Sequence, residues 1–138
     1  MTEDQIVAAL DLAPHPEGGW FRQTWVAAGE GRPAGTCIYF LLKAGERSHW
    51  HRVDAAEIWH FYLGTALTLR LAAAAEGPVA AHRLGPRLDL GERPQVIVPR
   101  GHWQAAGPAE GFTLVGCTVS PGFRFSGFEL AAPGFDIA

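Results

Sequence analysis

The stretch GERSHWHRVDAAEIWHFYLG, Gly45 to Gly64, gathers His49, His51, Glu57 and His60 within twelve residues, among the aromatic residues Trp50, Trp59, Phe61 and Tyr62. His49 and His51 stand at i and i+2, so on a regular strand both imidazoles leave the same face. Glu57 opens EIWHFYL, which reads as the next strand. There Glu57, Trp59 and Phe61 share one face, while Ile58, His60 and Tyr62 share the other. If Glu57 looks inward, His60 looks away, and His60 is set aside. Two imidazoles and one carboxylate form a facial triad suited to Zn, Ni, Fe or Mn, with positions left for water or substrate. The same residues also suit a metal-free pocket. A buried carboxylate needs a partner, and His51 beside Glu57 supplies one. Such a pair is a workable general base, a role that contributes about 10²–10⁴-fold to a rate. From the residues alone both readings stand, as does a third, a non-catalytic pocket that binds a small molecule.

Around this stretch, short apolar runs at 20–26, 36–42, 57–63, 67–71, 95–99 and 112–120 are separated by turns rich in glycine and proline. Leu67, Leu69 and Leu71 alternate with Thr68 and Arg70, the pattern of a half-buried strand. Thr2-Glu3-Asp4-Gln5 has the form of a capping box, and Ile6, Val7 and Leu10 follow at helical spacing. The alanines at 72–75 favour a helix, but Gly77-Pro78 stops it at once, so this segment reads as a strand end and a turn. Many short strands with Gly/Pro turns predict an all-β sandwich or barrel, here with one short N-terminal helix.

Composition excludes several classes of function. The chain is 48% apolar and 18% charged, as a globular protein should be. A net charge of -3 offers no basic footprint for nucleic acid. No apolar run reaches the roughly 18 residues that span a bilayer, so no membrane association is expected. Met1-Thr2-Glu3-Asp4 lacks the basic start of a signal peptide, and the expectation is a cytoplasmic protein. Cys37 and Cys117 sit in apolar runs without metal or redox spacing and read as two buried thiols.

Gly45-x3-His49-x-His51-x5-Glu57-x6-Gly64 resembles the first motif of the cupins, and Pro99-Arg100-Gly101-His102-Trp103-Gln104 resembles the second. In the second, Gln104 stands where metal-binding cupins place their last histidine. HPEGG at 15–19 followed by an aromatic, HRxxxxEIWH from His51, and PGFxFxGFEL from Pro121 resemble one family more closely, the small single-domain cupins called cupin-five. The resemblance covers most of the chain. It implies a double-stranded β-helix, or jelly-roll barrel, spanning 1–138 as one domain, and a homodimer. It also implies kinship with sugar epimerases that work without metal, and so a small-molecule ligand such as a carbohydrate or nucleotide-sugar derivative. Positions matching the family's pocket are Ser48, His51, Glu57 and Trp59, with Gln95 and Gln104 from the second half. His15, Glu17 and Arg22 match its N-terminal signature. His51 and Glu57 are the expected catalytic pair, with Phe61 and Trp103 as apolar pocket walls. His49, His51, Glu57 and Gln104 are the candidate ligands if a divalent metal is bound.

Overall fold

A computed structural model describes all residues, Met1–Ala138. The predicted N-terminal helix is α1, Glu3–Leu10. Thr2 and Gln5 exchange side-chain-to-backbone hydrogen bonds of 2.8 and 3.2 Å, the reciprocal cap expected of this sequence. Asp11 ends the helix in the left-handed conformation. Ile6 then packs on Leu12, Leu41 and Leu114 and fixes the helix to the outside of the barrel.

The rest is β-structure in two antiparallel sheets. The larger contains β1 (Ala13–Pro14), β2 (Trp20–Val26), β3 (Thr36–Leu42), β5 (Ala56–Gly64), β8 (Gln95–Val98) and β10 (Thr113–Ser120). The smaller contains β4 (Ser48–Val53), β6 (Leu67–Ala72), β7 (Ala80–Leu84), β9 (Trp103–Ala106) and β11 (Phe128–Leu130). Their orders are β1-β2-β3-β10-β5-β8 and β11-β4-β9-β6-β7. Strands adjacent in space are mostly distant in sequence, and the chain crosses repeatedly from one sheet to the other, giving the jelly-roll form of a β-barrel.

Alternation places the core between the sheets. Leu67, Leu69 and Leu71 are buried, whereas Arg70 is exposed. They meet Phe40 and Leu42 of β3, Trp59 of β5, Val96 and Val98 of β8, and Val115 and Cys117 of β10. Each such side chain contributes about 1.5–3 kcal/mol when fully buried. The alanine run after β6 forms turns and no helix, as Gly77-Pro78 requires. The cysteines are free, Cys117 buried and Cys37 half-buried. No helix is long and apolar enough to cross a membrane.

One irregularity shapes the site. Ser48 of β4 lies opposite Ala106 of β9, and His51 lies opposite Gln104. Three steps along β4 match two along β9, so β4 carries a bulge. Both Ser48 and His51 consequently turn inward, although they are three apart.

Candidate functional site

The bulge overturns the expected parity of His49 and His51. The His49 ring turns away from the barrel interior, with Nε2 3.0 Å from the carbonyl oxygen of Ala132 in the C-terminal tail. Its backbone serves the site instead. The His49 N–H donates to the carbonyl of Glu17 at 2.8 Å, and the His49 carbonyl lies 2.7 Å from Nδ1 of His51. A carbonyl can only accept, so Nδ1 of His51 carries the proton. In the neutral imidazole Nε2 is then the bare, accepting nitrogen.

Nε2 of His51 faces Glu17 Oε2 at 3.3 Å. Glu17 reaches this point from the HPEGG turn between β1 and β2. His15 N–H donates to Gly19, Gly18 N–H donates to His15, and Gly18 holds a positive φ of 108°. A Cβ at Gly18 would collide with the carbonyl of Arg47, so the glycine lets this turn lie against the start of β4. Ser48 Oγ donates to Glu17 Oε2. The other oxygen, Oε1, lies 3.2 Å from Nδ1 of His15, which already accepts the Glu17 backbone N–H at 3.1 Å. One carboxyl group thus lies between two imidazole nitrogens, neither bearing its own proton.

Glu57 completes the cluster from β5. Trp59 Nε1–H donates to Gln104 Oε1 at 2.8 Å, which fixes the orientation of the Gln104 amide. The Gln104 amide nitrogen then donates to Glu57 Oε1, also at 2.8 Å.

Burial governs the charges. It raises Glu17 to about 8, against the opposing hydrogen bond from Ser48. It raises Glu57 to about 7, with the neighbouring His51 pulling it back. It lowers His15 to about 4, helped by the charge on His51. It also lowers His51, against the attraction of Glu57. Near neutral pH, His51 is therefore a neutral base and Glu17 a neutral acid, and their contact is a hydrogen bond between neutral groups rather than an ion pair. His15 Nδ1 already has a donor and His51 Nε2 has none, which favours placing the Glu17 proton on Oε2, toward His51.

These four polar residues line a narrow cavity of about 30 Å³, room for a water molecule or two. Its apolar wall includes Phe21, Ile38, Val119, Phe123 and Phe128. His15, Glu17, Ser48 and His51 form one bonded group and Glu57, Gln104 and Trp59 another; the two meet at the cavity, which Ser48, Trp59 and Gln104 do not line. Four expected pocket residues lie elsewhere. Gln95 pairs across β5–β8 with His60 and shares its outward face, exposed. Trp103 points to the outer side of β9, where Trp50, Ile137 and Phe135 cover it. Arg22 is exposed, with its guanidinium 3.4 Å from the Leu10 carbonyl. Phe61 packs against the core two residues beyond Trp59 and does not reach the cavity. Phe123 and Phe128 of the PGFxFxGFEL motif, not among the expected pocket residues, also line the cavity.

The donor set does not fit a metal ion. No group of three or more His, Cys, Asp or Glu side chains converges to hold one. His49 is turned outward, and Gln104 presents its amide hydrogens to Glu57 with its oxygen committed to Trp59. His102 follows a turn in which its N–H bonds the Pro99 carbonyl, and it does not replace the missing ligand.

A jelly roll with a histidine and carboxyl groups turned into its interior defines a cupin-type barrel. Residues 4–131 match the family Cupin_5, described as cupin superfamily (DUF985), and the chain belongs to this family. An X-ray structure of a protein from Shewanella oneidensis is 40% identical and superimposes with a TM-score of 0.89, over 96% of this chain and 85% of that one. A hypothetical protein from Leishmania major is 29% identical with a TM-score of 0.87, over 98% and 90% of the two chains. Oxalate decarboxylase from Bacillus subtilis shares the fold alone, at 16% identity and a TM-score of 0.65, over 85% of this chain and 29% of that one. No curated protein matches the sequence.

Proposed function

We propose that this chain is a metal-independent enzyme that moves a proton on a small carbohydrate-like metabolite, as an isomerase or epimerase acting next to a carbonyl. One observation carries the reading. His51, its Nδ1–H committed to the His49 carbonyl, holds a bare Nε2 in a narrow cavity lined by two carboxyl groups raised to about 8 and about 7. A base that is neutral at pH 7, beside acids that still hold protons there, suits proton abstraction and return without bulk solvent. In this reading His51 takes a proton from the substrate carbon, protonated Glu57 or Glu17 gives its own proton back to the substrate, and transfer from the His51 imidazolium to the resulting carboxylate restores the starting state. Gln104 and Trp59 orient Glu57, and Ser48 orients Glu17. The mixed lining, polar on one side and aromatic on the other, suits a sugar ring, which has both kinds of face.

The test is deuterium incorporation. A panel of keto-sugars and nucleotide-linked keto-sugars is incubated with the protein in D₂O and followed by proton NMR. Exchange at the carbon beside the carbonyl is expected for at least one compound. It should fall by about 10²–10⁴-fold in His51→Ala, the usual contribution of a general base. Tight binding with no exchange in any compound would mark a binding protein instead.

The reading includes a homodimer. The larger sheet exposes Trp25 and Val26 of β2, Tyr62 and Leu63 of β5, and Ile97 of β8, apolar surface that a second copy would cover. Light scattering is expected to return twice the chain mass of 14.9 kDa.

A further inference from the structure

The cavity as it stands cannot hold a metabolite. Sites for small organic ligands have volumes of about 300–1,000 Å³, against about 30 Å³ here. Some wall must move, and the walls are not equally free to do so. Phe21, Thr36, Ile38, His51, Val53, Glu57 and Val119 belong to β2, β3, β4, β5 and β10, which are hydrogen-bonded to one another within the sheets. His15 and Glu17 sit in the HPEGG turn, which is locked against β4 as described above. The remaining wall is residues 121–128. This segment leaves β10 at Ser120 and ends at Phe128, the first residue of the three-residue strand β11, which pairs with β4 through Phe128 opposite Val53.

The segment carries three aromatic rings in mutual contact. Phe123, Phe125 and Phe128 lie with centroids 5.0–6.0 Å apart. Phe128 lies 5.5 Å from the His51 ring and 6.0 Å from the His15 ring. Near β10 the segment is tied by the Gly122 N–H to the Pro33 carbonyl at 2.8 Å and by the Phe123 N–H to Thr36 Oγ1 at 2.9 Å, and beyond that its outer side is held at Asp54. The Asp54 carboxylate accepts two hydrogen bonds from Arg32, at 2.7 and 3.2 Å, and one from Arg124 at 3.0 Å. Arg32 also donates to the Gly122 carbonyl at 2.9 Å, and the Asp54 N–H donates to Gly127 at 3.1 Å. Gly127 has no room for a Cβ, because the Asp54 carboxylate lies against it. Asp54 and Arg124 are partly exposed, at 29% and 52%, so these bonds can exchange with water.

We propose that residues 121–128 form the lid of the cavity, latched by Asp54, and that a ligand reaches His51 by displacing Phe123 and Phe128 and occupying the space beneath them. The inference rests on the reading of the cavity as a ligand site. Opening withdraws the two rings at the mouth and widens the small cavity to the surface. Phe128 and Phe123 then become the apolar side of the ligand's binding surface, facing the polar side built from His15, Glu17, His51 and Glu57. Asp54 acts through the segment and is a positioning residue, not a catalytic one.

The test needs no substrate. Diethyl pyrocarbonate modifies neutral imidazoles, and peptide mass spectrometry reads each histidine separately. His51 is 2% exposed and should react far more slowly than the exposed His82 of β7. In Asp54→Asn the reaction of His51 is expected to quicken about tenfold while His82 is unchanged. Amide deuterium exchange should rise in 121–127 and stay constant in β3 and β10. Arg124→Ala, which leaves Arg32 in place, should give a smaller change in the same direction. An unchanged His51 rate in Asp54→Asn would overturn the proposal. So would a rise in exchange shared equally by β3 and β10, because that reports general loosening rather than a lid. A protein whose lid opens as described but exchanges no proton on any sugar would keep this inference and lose the reaction assigned above.

Discussion

His51 Nε2 and Glu17 Oε2 lie 3.3 Å apart, and with Nδ1 of His51 bound to a carbonyl, a single proton serves the contact between them. The pair is built from opposite ends of the local sequence. Glu17 arrives on a glycine turn and His51 on a bulged strand, and the backbone of His49 joins them by bonding to both. A base held neutral against an acid held neutral is the arrangement from which the proposed chemistry follows.

The same burial makes stability depend on pH. Glu17 and Glu57 keep their protons up to about 8 and about 7 in the folded chain, whereas an ordinary glutamate releases its proton near 4.5. Across that range the folded state binds more protons than the unfolded one, so these two groups make stability fall as pH rises. His15, lowered from 6.5 to about 4, works the other way. Below 6.5 the unfolded chain takes up a proton that the folded chain does not, and stability is lost as pH falls toward 4. His51, also lowered by burial, acts with His15. Above pH 6.5 only the carboxyls of this cluster remain, so the melting temperature is expected to drop between pH 6.5 and 8. Glu17→Gln should flatten that drop, as calorimetry across the range would show.

Gln104 is fixed by what lies on either side of it. In Gln104→Leu the buried Trp59 Nε1–H loses its acceptor and Glu57 loses a donor. Each group left unpaired costs about 1–3 kcal/mol. Urea unfolding should show the loss. Because the Gln104 amide holds Glu57 down, the pKa of Glu57 should also move further up, shifting any activity governed by it toward higher pH.

Much of this was legible in the sequence, and the failures share one cause. Alternation at Leu67, Leu69 and Leu71, the cap at Thr2 and the turn at Gly77-Pro78 predict their elements because each signal is local. Parity correctly placed Glu57 and Trp59 on one face and His60 on the other, since β5 is regular there. It failed for His49, because an extra residue in β4 shifts the pleat between Ser48 and His51, and nothing in SHWH announces a bulge. Spacing within motifs also could not tell which side of a strand faced the cavity at Gln95 and Trp103. That depends on partners far away in the chain, His60 for one and the C-terminal tail for the other. The aromatic run at 123–128 gave no sign that it covers the site, because its contacts with His15 and His51 come from distant parts of the chain.

Metal titration separates the competing chemistries. After chelator treatment, isothermal titration with Zn or Ni is expected to show no tight site in the wild-type protein. Gln104→His should not create one, because the His49 ring lies on the other side of the strand. Tight stoichiometric binding in either protein would mean that the side chains rearrange to converge on an ion, and the metal-free account would fail.

The tautomer and charge of His51 test the central claim most directly. In protein labelled with nitrogen-15 at histidine, the two ring nitrogens of His51 can be read by NMR from pH 6 to 8. The expected result is a neutral ring throughout, with the proton on Nδ1 and Nε2 bare. A ring protonated on Nε2 with Nδ1 bare, or an imidazolium at pH 7, would contradict the account, because His51 could then not accept a proton from a ligand in the cavity.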